Sequence, residues 1–334
     1  MKSSSLLLSL VAAGTMTFGF STSAVRGQCP ADLNGDGQIN QTDVAQLLAN
    51  SGPVPFPTPV VPTWATLLEA APDPAVVTDV NLRAAIVASG FTWRVLDTGT
   101  GIEMLLVPGG TFMMGCSAST LYSCDDYMTY DENPTHLVTL SAFYIGRYEV
   151  TQAQWTAKMG SNPSFFVGYS DSPSHPVEQV SWDMIATTGG FMSVTGLRLP
   201  TEAEWEYAYR AGTTTAFHSY PAQPTGFNND TLLGNIAWYD DISGSQTHAV
   251  GGKLANGLGL HDMSGNVWEW CQDWYGFYSS GSVTNPTGPA TGYYPLLRGG
   301  AWNFNSSDCR ASRRNGVSPD IIISIIGFRV ARNP

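Results

Sequence analysis

The stretch Gly257–Trp270, GLGLHDMSGNVWEW, groups side chains suited to holding a hard cation. Asp262 and Glu269 supply carboxylates, and the turn between them carries the backbone carbonyls of Gly265 and Val267. Calcium selects oxygen donors of this kind. Gly257, Gly259 and Gly265 break helix and strand alike, so the backbone must turn tightly here. Trp268 and Trp270 each need a wall to pack on and a partner for the indole N–H. The competing reading is a loop with solvated acids and core tryptophans.

A second oxygen-rich loop lies near the start. Residues 32–43 read DLNGDGQINQTD. Asp32, Asn34 and Asp36 stand at positions 1, 3 and 5 of a twelve-residue loop, and a glycine follows at the sharp turn. Gln38 offers a carbonyl at position 7, and Asp43 closes the loop. This is the ligand spacing of an EF-hand-type calcium site.

Other chemistries find little support. There is no Gly-x-Ser-x-Gly elbow and no phosphate-cradling Walker loop. The five histidines show no His-x-x-x-His pair, so each reads as a local hydrogen-bonding group. Glu202, Glu204 and Glu206 invite an acid–base reading. A capping box from Thr201 to Glu204 and pairing with Arg210 explain two of them without catalysis.

The elements that must carry these groups follow from pattern. Leu105–Val107 and Thr111–Met114 read as strands on either side of Pro108-Gly109-Gly110. His136–Val150 has strand composition, and Thr151 opens a short helix through Met159. Ser181–Val194 and Leu199–Gly212 read as two helices. Upstream, Leu67–Ala71 and Val80–Ala88 look helical, with Asp79 as cap and Gly90 as stop.

Only 13% of residues are charged, whereas Gly 35, Pro 21 and Trp 10 favour a loop-rich fold pinned by aromatics. The net charge of −12 argues against a nucleic-acid partner. Lys2, the apolar run Leu6–Phe20 and the small residues after it form a secretory signal over 1–27. The run is too short to span a bilayer, so the chain is expected to be secreted or periplasmic and not membrane-spanning after cleavage. Pairing is then the default for cysteines. Cys116–Cys124 is the expected bridge across a polar loop, and Cys271–Cys309 a second. The expected organisation is a calcium loop and helix over 28–52, a proline-rich linker over 53–62, a short helical lead-in over 63–97, and a main domain over 98–334.

Five motifs recur in order through that main domain: FYIGRYEVTQAQW (143–155), HPVEQVSW (175–182), GLRLPTEAEWEYAYRAG (196–212), RGGAW (298–302) and GFRVA (327–331). With the 257–270 stretch they resemble the formylglycine-generating enzyme, or sulfatase-modifying factor, family. The resemblance implies an α+β, irregular, loop-rich, C-type-lectin-like fold. It implies one calcium at Asn235 and Ile236 and a second at Asp262, Gly265, Val267 and Glu269. It also implies a copper-dependent oxidase that converts a sulfatase cysteine, within Cys-x-Pro-x-Arg, to formylglycine. In the family a serine and two cysteines follow the RGG, and the paired thiolates hold copper(I). Here Ala301 replaces the serine, Phe304 stands at the first cysteine and Cys309 at the second. Cys309 is therefore the one candidate catalytic residue, and copper is expected only if the oxidase survives. The favoured expectation is a calcium-stabilised member that binds a peptide or protein ligand through Trp268, Trp302, Asn303, Phe304, Asn305 and Arg313. The alternative is an oxidase acting on a sulfatase. Residues 32–43 also resemble one repeat of a type I dockerin, a module that binds cohesin as two repeats.

Overall fold

The computed structural model describes residues 58–116 and 130–334. The signal-like segment, the loop with Asp32, Asn34, Asp36, Gln38 and Asp43, and Cys124 lie outside the described residues. The chain mixes short helices with small sheets. β1 (Ala65–Glu69), β2 (Arg94–Asp97), β3 (Glu103–Val107), β6 (Phe143–Gly146) and β14 (Ala331–Arg332) form a five-stranded sheet in the order β1-β2-β3-β6-β14. The last strand thus closes against β6, which joins the chain's end to its middle. β4 (Gly110–Met114), β5 (His136–Leu140) and β10 (Val283–Thr284) make a three-stranded sheet. A third sheet, order β12-β11-β9-β13, holds β9 (Trp268–Trp274) between β11 (Pro295–Arg298) and β13 (Ile326–Gly327), with β12 (Arg314–Gly316) outermost. β7 (Ala237–Trp238) pairs in parallel with β8 (Ser264–Gly265). Among the described residues no helix is long and apolar enough to cross a membrane.

Several elements form where local chemistry demands them. α1 (Val80–Ala88) starts at Asp79, whose side chain accepts from the Asn81 and Leu82 N–H groups. α2 (Gln152–Met159) has a Thr151–Gln154 capping box and ends at Gly160 in the left-handed region. α5 (Glu202–Arg210) has the expected Thr201–Glu204 box. The two strands around Pro108-Gly109-Gly110 are present, but they belong to different sheets.

Three expectations change. Leu67–Ala71 is not helical: Ala65–Glu69 is strand β1, paired with β2, because that edge is satisfied by sheet bonding rather than by local turns. Ser181–Val194 is not one helix but two, α3 (Trp182–Ala186) and α4 (Phe191–Thr195). The break falls at Gly189, which has φ +85°, a conformation no interior helical residue takes. Cys271 and Cys309 do not form a bridge; both are free and buried. Cys271 packs in the main core and Cys309 in a separate cluster with Phe217, Tyr239 and Leu233. Cys116 is disulfide-bonded.

The indoles of the 257–270 stretch are core. Trp270 donates to the Val180 carbonyl at 2.9 Å, while the Trp268 N–H is buried without a partner. Beneath them runs a buried ion network. Glu206 accepts from Arg210 and Arg298, Glu202 is gripped bidentately by Arg314 at 2.8 Å, and Glu132 likewise by Arg310 at 2.8 Å. Three arginines of the C-terminal segment are thereby anchored to α5 and to the 131–132 turn.

Candidate functional site

The C-terminal segment leaves β11 at Arg298 through Gly299 and Gly300, both with positive φ. A Cβ on Gly300 would lie 2.9 Å from the Cys309 sulfur, so only glycine lets this turn close over that thiol. Ala301 is buried beyond it. Trp302 then donates its indole N–H to the Ser324 carbonyl at 3.0 Å and its backbone N–H to the Asn266 carbonyl at 2.9 Å. The edge of Phe166 meets it at 5.3 Å. Trp302 is therefore the post around which loops 162–169, 301–305 and 318–325 are arranged.

Glu178 and Gln179 tie two of those loops together from below. The Phe166 N–H donates to Glu178 Oε1 at 2.9 Å, and the Gln179 N–H donates to the Ile323 carbonyl at 3.1 Å. Gln179 has φ +58°, a strained conformation for a residue with a side chain. Above this tie, Phe165 is 64% exposed, Val167 51%, Tyr169 46%, Ile322 54% and Ile323 38%. Large apolar side chains grouped at the surface on loops that are themselves held firmly mark a contact face. Glu178 is fully buried; its Oε2 has no partner, and burial pushes its carboxyl up to about 7 against the pull of the Phe165 and Phe166 N–H groups.

Sequence reasoning placed the ligand face on Trp268, Trp302, Asn303, Phe304, Asn305 and Arg313. Asn303 and Asn305 are exposed, and Trp302 and Phe304 half-buried. Trp268 does not belong: it is 1% exposed, capped by the edge of Phe304 at 5.5 Å. Arg313 is half-buried and donates to Asp308 at 2.8 Å. Phe165, Val167, Ile322, Ile323 and Glu178 were missed. The signal was present as apolar runs beside Pro163, Gly168 and Pro319, too short and too isolated to pair in a sheet.

Copper chemistry does not fit these residues. Cys309 is fully buried under Gly300, and burial, aided by Asp308, pushes its thiol far up. Cys271 is buried elsewhere and is likewise pushed well up by burial and by Asp273. A soft monovalent metal needs thiolates, and two of them, in reach of one point. Cys309 is closed off from the surface, and Phe304 offers a ring where a second sulfur would be needed.

The expected cation residues divide. Asp262 is buried with φ +55°; its Oδ2 accepts from the Gly251 N–H at 2.6 Å and its Oδ1 has no partner. Burial pushes its carboxyl up to about 6. Glu269 is held bidentately by Arg329 at 2.6 Å and by the Trp205 N–H at 2.7 Å. A third buried carboxylate, Glu149, accepts from Asn266 and from the Val267 N–H. Burial raises its pKa well above normal, and Asp262 and Glu269 raise it further. Three carboxylates thus surround one guanidinium, leaving an orphaned oxygen and a shortage of positive charge. Asp262 Oδ1 is the unpaired anionic acceptor among the expected cation residues, since both Glu269 oxygens are taken by Arg329. Gly265 is obligatory there, since a Cβ would lie 2.1 Å from the Trp238 carbonyl oxygen. At the Asn235–Ile236 loop the main-chain carbonyl of Asn235 is already engaged. The Asn235 carbonyl accepts from the Leu254 N–H at 2.9 Å and its exposed amide donates to Tyr220. Among the described residues no group of three or more His, Cys, Asp or Glu is arranged to hold a metal.

Comparison with known proteins agrees with the order of motifs. A model of the sulfatase-modifying factor enzyme 1-like domain matches residues 96–334. The serine/threonine-protein kinase pkn1 of Chlamydia caviae is 33% identical over 256 residues, covering 69% of this chain and 38% of the kinase. The chain therefore corresponds to well under half of that relative's length. The formylglycine-generating enzyme of Streptomyces coelicolor is 29% identical over 292 residues, covering 68% of this chain and 88% of the enzyme. Among solved structures, Treponema denticola variable protein 1 is 31% identical, with a TM-score of 0.56 over 71% of this chain and 98% of that one. From residue 96 onward the chain is a member of the sulfatase-modifying factor enzyme 1-like domain family.

Proposed function

We propose that this is a secreted, calcium-stabilised, ligand-binding member of the family, with a C-type-lectin-like fold, that does not oxidise its ligand. The observation that supports this reading is the burial of Cys309 together with a phenyl ring, Phe304, where the family's other thiolate would stand. The ligand is a peptide or protein segment that covers Phe165, Ile322 and Trp302. In the test, the full chain is incubated with copper(I), dioxygen and a Cys-x-Pro-x-Arg peptide. No aldehyde is expected; aldehyde formation lost in Cys309→Ser would establish a sulfatase-maturing oxidase instead. Peptides selected from a random display library against the wild type are expected to bind Ile322→Asp about tenfold more weakly, as for a central contact residue. Selected peptides that bind the variant equally well would remove the face.

Calcium is proposed at two places, the 32–43 loop and the Asp262–Glu269 turn. At the turn, Asp262 and Glu269 would hold the ion with the Gly265 and Val267 carbonyls, and the ion would supply the positive charge that Arg329 alone does not. At about ten times its dissociation constant an ion stabilises by about 1.4 kcal/mol. A chelator is then expected to lower the melting temperature by roughly 3–6 °C, with a smaller effect in Asp262→Asn. An unchanged melting temperature would remove both sites. For the dockerin-like repeat, retention on immobilised cohesin that is lost in Asp36→Ala would identify a cohesin partner.

A further inference from the structure

Lys253 lies where the expected Asn235–Ile236 cation loop meets Trp238. Its Nζ donates to the Gly234 carbonyl at 2.6 Å and stands 3.7 Å from the centroid of the Trp238 ring. The His248 imidazole stacks on the same indole, also at 3.7 Å between centroids and 15° between planes. Two groups at that height cannot share one face, so the indole is held between an imidazole and an ammonium. His248 is fixed in turn by the Ser243 carbonyl, 2.6 Å from its Nε2. The next residue continues the contact, since the Leu254 N–H donates to the Asn235 carbonyl. Even Gly252 runs close to the ring, where a Cβ would lie 3.3 Å from the Trp238 nitrogen.

An ammonium satisfied by a carbonyl oxygen and an aromatic face performs one part of what a metal does: it gathers electron-rich groups from separate segments. Burial works against the charge of Lys253, and Asp262 works for it. A divalent ion beside it would be repelled by the ammonium, and it would find the Gly234 and Asn235 carbonyls already taken by Lys253 and by the Leu254 N–H. The Asn235 amide nitrogen donates to Tyr220 at 3.3 Å, and Asp240 and Asp241 are exposed.

We propose that the Lys253 ammonium is a built-in cation that takes the place of calcium at the Gly234–Asn235 loop, tying that loop to the 251–254 segment across Trp238. The inference is separate from the Asp262 site, and its test keeps the two apart. Bound calcium is counted by elemental analysis of the dialysed full chain for wild type, Asn235→Ala and Asp262→Asn. Melting of Lys253→Met is followed with calcium and with chelator. Asn235→Ala is expected to keep the wild-type number of ions. Lys253→Met is expected to melt roughly 2–8 °C lower in both conditions, the range for losing a partly desolvated cation–π contact and its hydrogen bond. One ion fewer in Asn235→Ala, or a Lys253→Met variant that melts with the wild type, would overturn the proposal. A change confined to Asp262→Asn concerns the other site alone.

Discussion

Replacing Glu206 by alanine is expected to destabilise the protein by about 3–5 kcal/mol, because it strands buried guanidinium groups. Glu206 is fully buried and accepts from the Gly115 N–H at 3.0 Å, from Arg210 at 2.8 Å and from Arg298. Burial alone would push its carboxyl up. Arg210 and Arg298 outweigh that and hold it below the usual carboxylate range. A depressed carboxyl contributes stability above its unfolded pKa and loses it as pH falls through the folded value. The difference between wild type and Glu206→Ala should therefore be fully present at neutral pH and shrink under acid. Arg298, itself fully buried, would keep the Arg313 carbonyl at 2.7 Å, a 3.8 Å approach to Glu202 and the Trp205 ring at 5.4 Å. Urea denaturation measures the loss; a variant within about 1 kcal/mol of wild type would show that the network is not what holds the C-terminal segment. Arg298 immediately precedes the Gly299-Gly300 turn that presents Trp302. Hydrogen exchange in 301–305 should accordingly rise more in this variant than in the five-stranded sheet.

That network shows where sequence reading stops. The Thr201–Glu204 box and the Asp79 cap were legible because they are written within a few residues. The ordered motifs fixed the family for the same reason, each being a local string. Glu206 offered only its i,i+4 neighbour Arg210, while its second partner, Arg298, is 92 residues away. Glu202 and Arg314 are 112 apart. The helix assigned at Leu67–Ala71 failed because β1 draws its order from β2, across α1. The Cys271–Cys309 bridge failed because parity of cysteines says nothing about which core each sulfur enters. The string after Arg298 put Trp302, Asn303 and Asn305 on one loop, where Trp302 is half-buried and Asn303 and Asn305 are exposed. It could not give Phe165 or Ile322, whose exposure results from three loops meeting at one indole.

Phe304 and the exposed apolar face belong to one arrangement. Phe304 meets the Trp268 ring of β9 edge-to-face at 5.5 Å. The Phe304 carbonyl accepts from the Asp240 N–H at 3.1 Å, which fixes the same ring position from the other side. What is left accessible is the rim: Asn303, Asn305 and the apolar residues of the flanking loops. A rim of that kind can be covered by a partner.

Glu178 gives the second large effect, and its sign is opposite to that of Glu206. Its carboxyl is raised from about 4.5 to about 7, by burial first, and one oxygen has no partner. A raised carboxyl contributes stability that is present in full below its unfolded pKa and is lost as pH rises through the folded value. The wild type should therefore lose on the order of 1–3 kcal/mol between pH 4.5 and pH 7 from this group, and carry the whole penalty above that. Glu178→Gln keeps an acceptor for the Phe166 N–H and removes the charge. It is expected to be more stable than wild type at pH 8 by about that amount and to converge with it near pH 4. Asp262, Glu149 and Asp273 also have raised carboxyls, so the wild-type curve alone does not identify the group. The difference between the two proteins does. A difference that stays flat from pH 4 to pH 8 would mean that Glu178 does not titrate in this window. The same substitution reports on the face above it, because Glu178 holds loop 162–169 through Phe166 and Ser164. If peptides selected on the wild type at pH 6, where the carboxyl is mostly protonated, bind Glu178→Gln equally well at pH 8, then the strain under the loop is electrostatic and the apolar face does not depend on the charge.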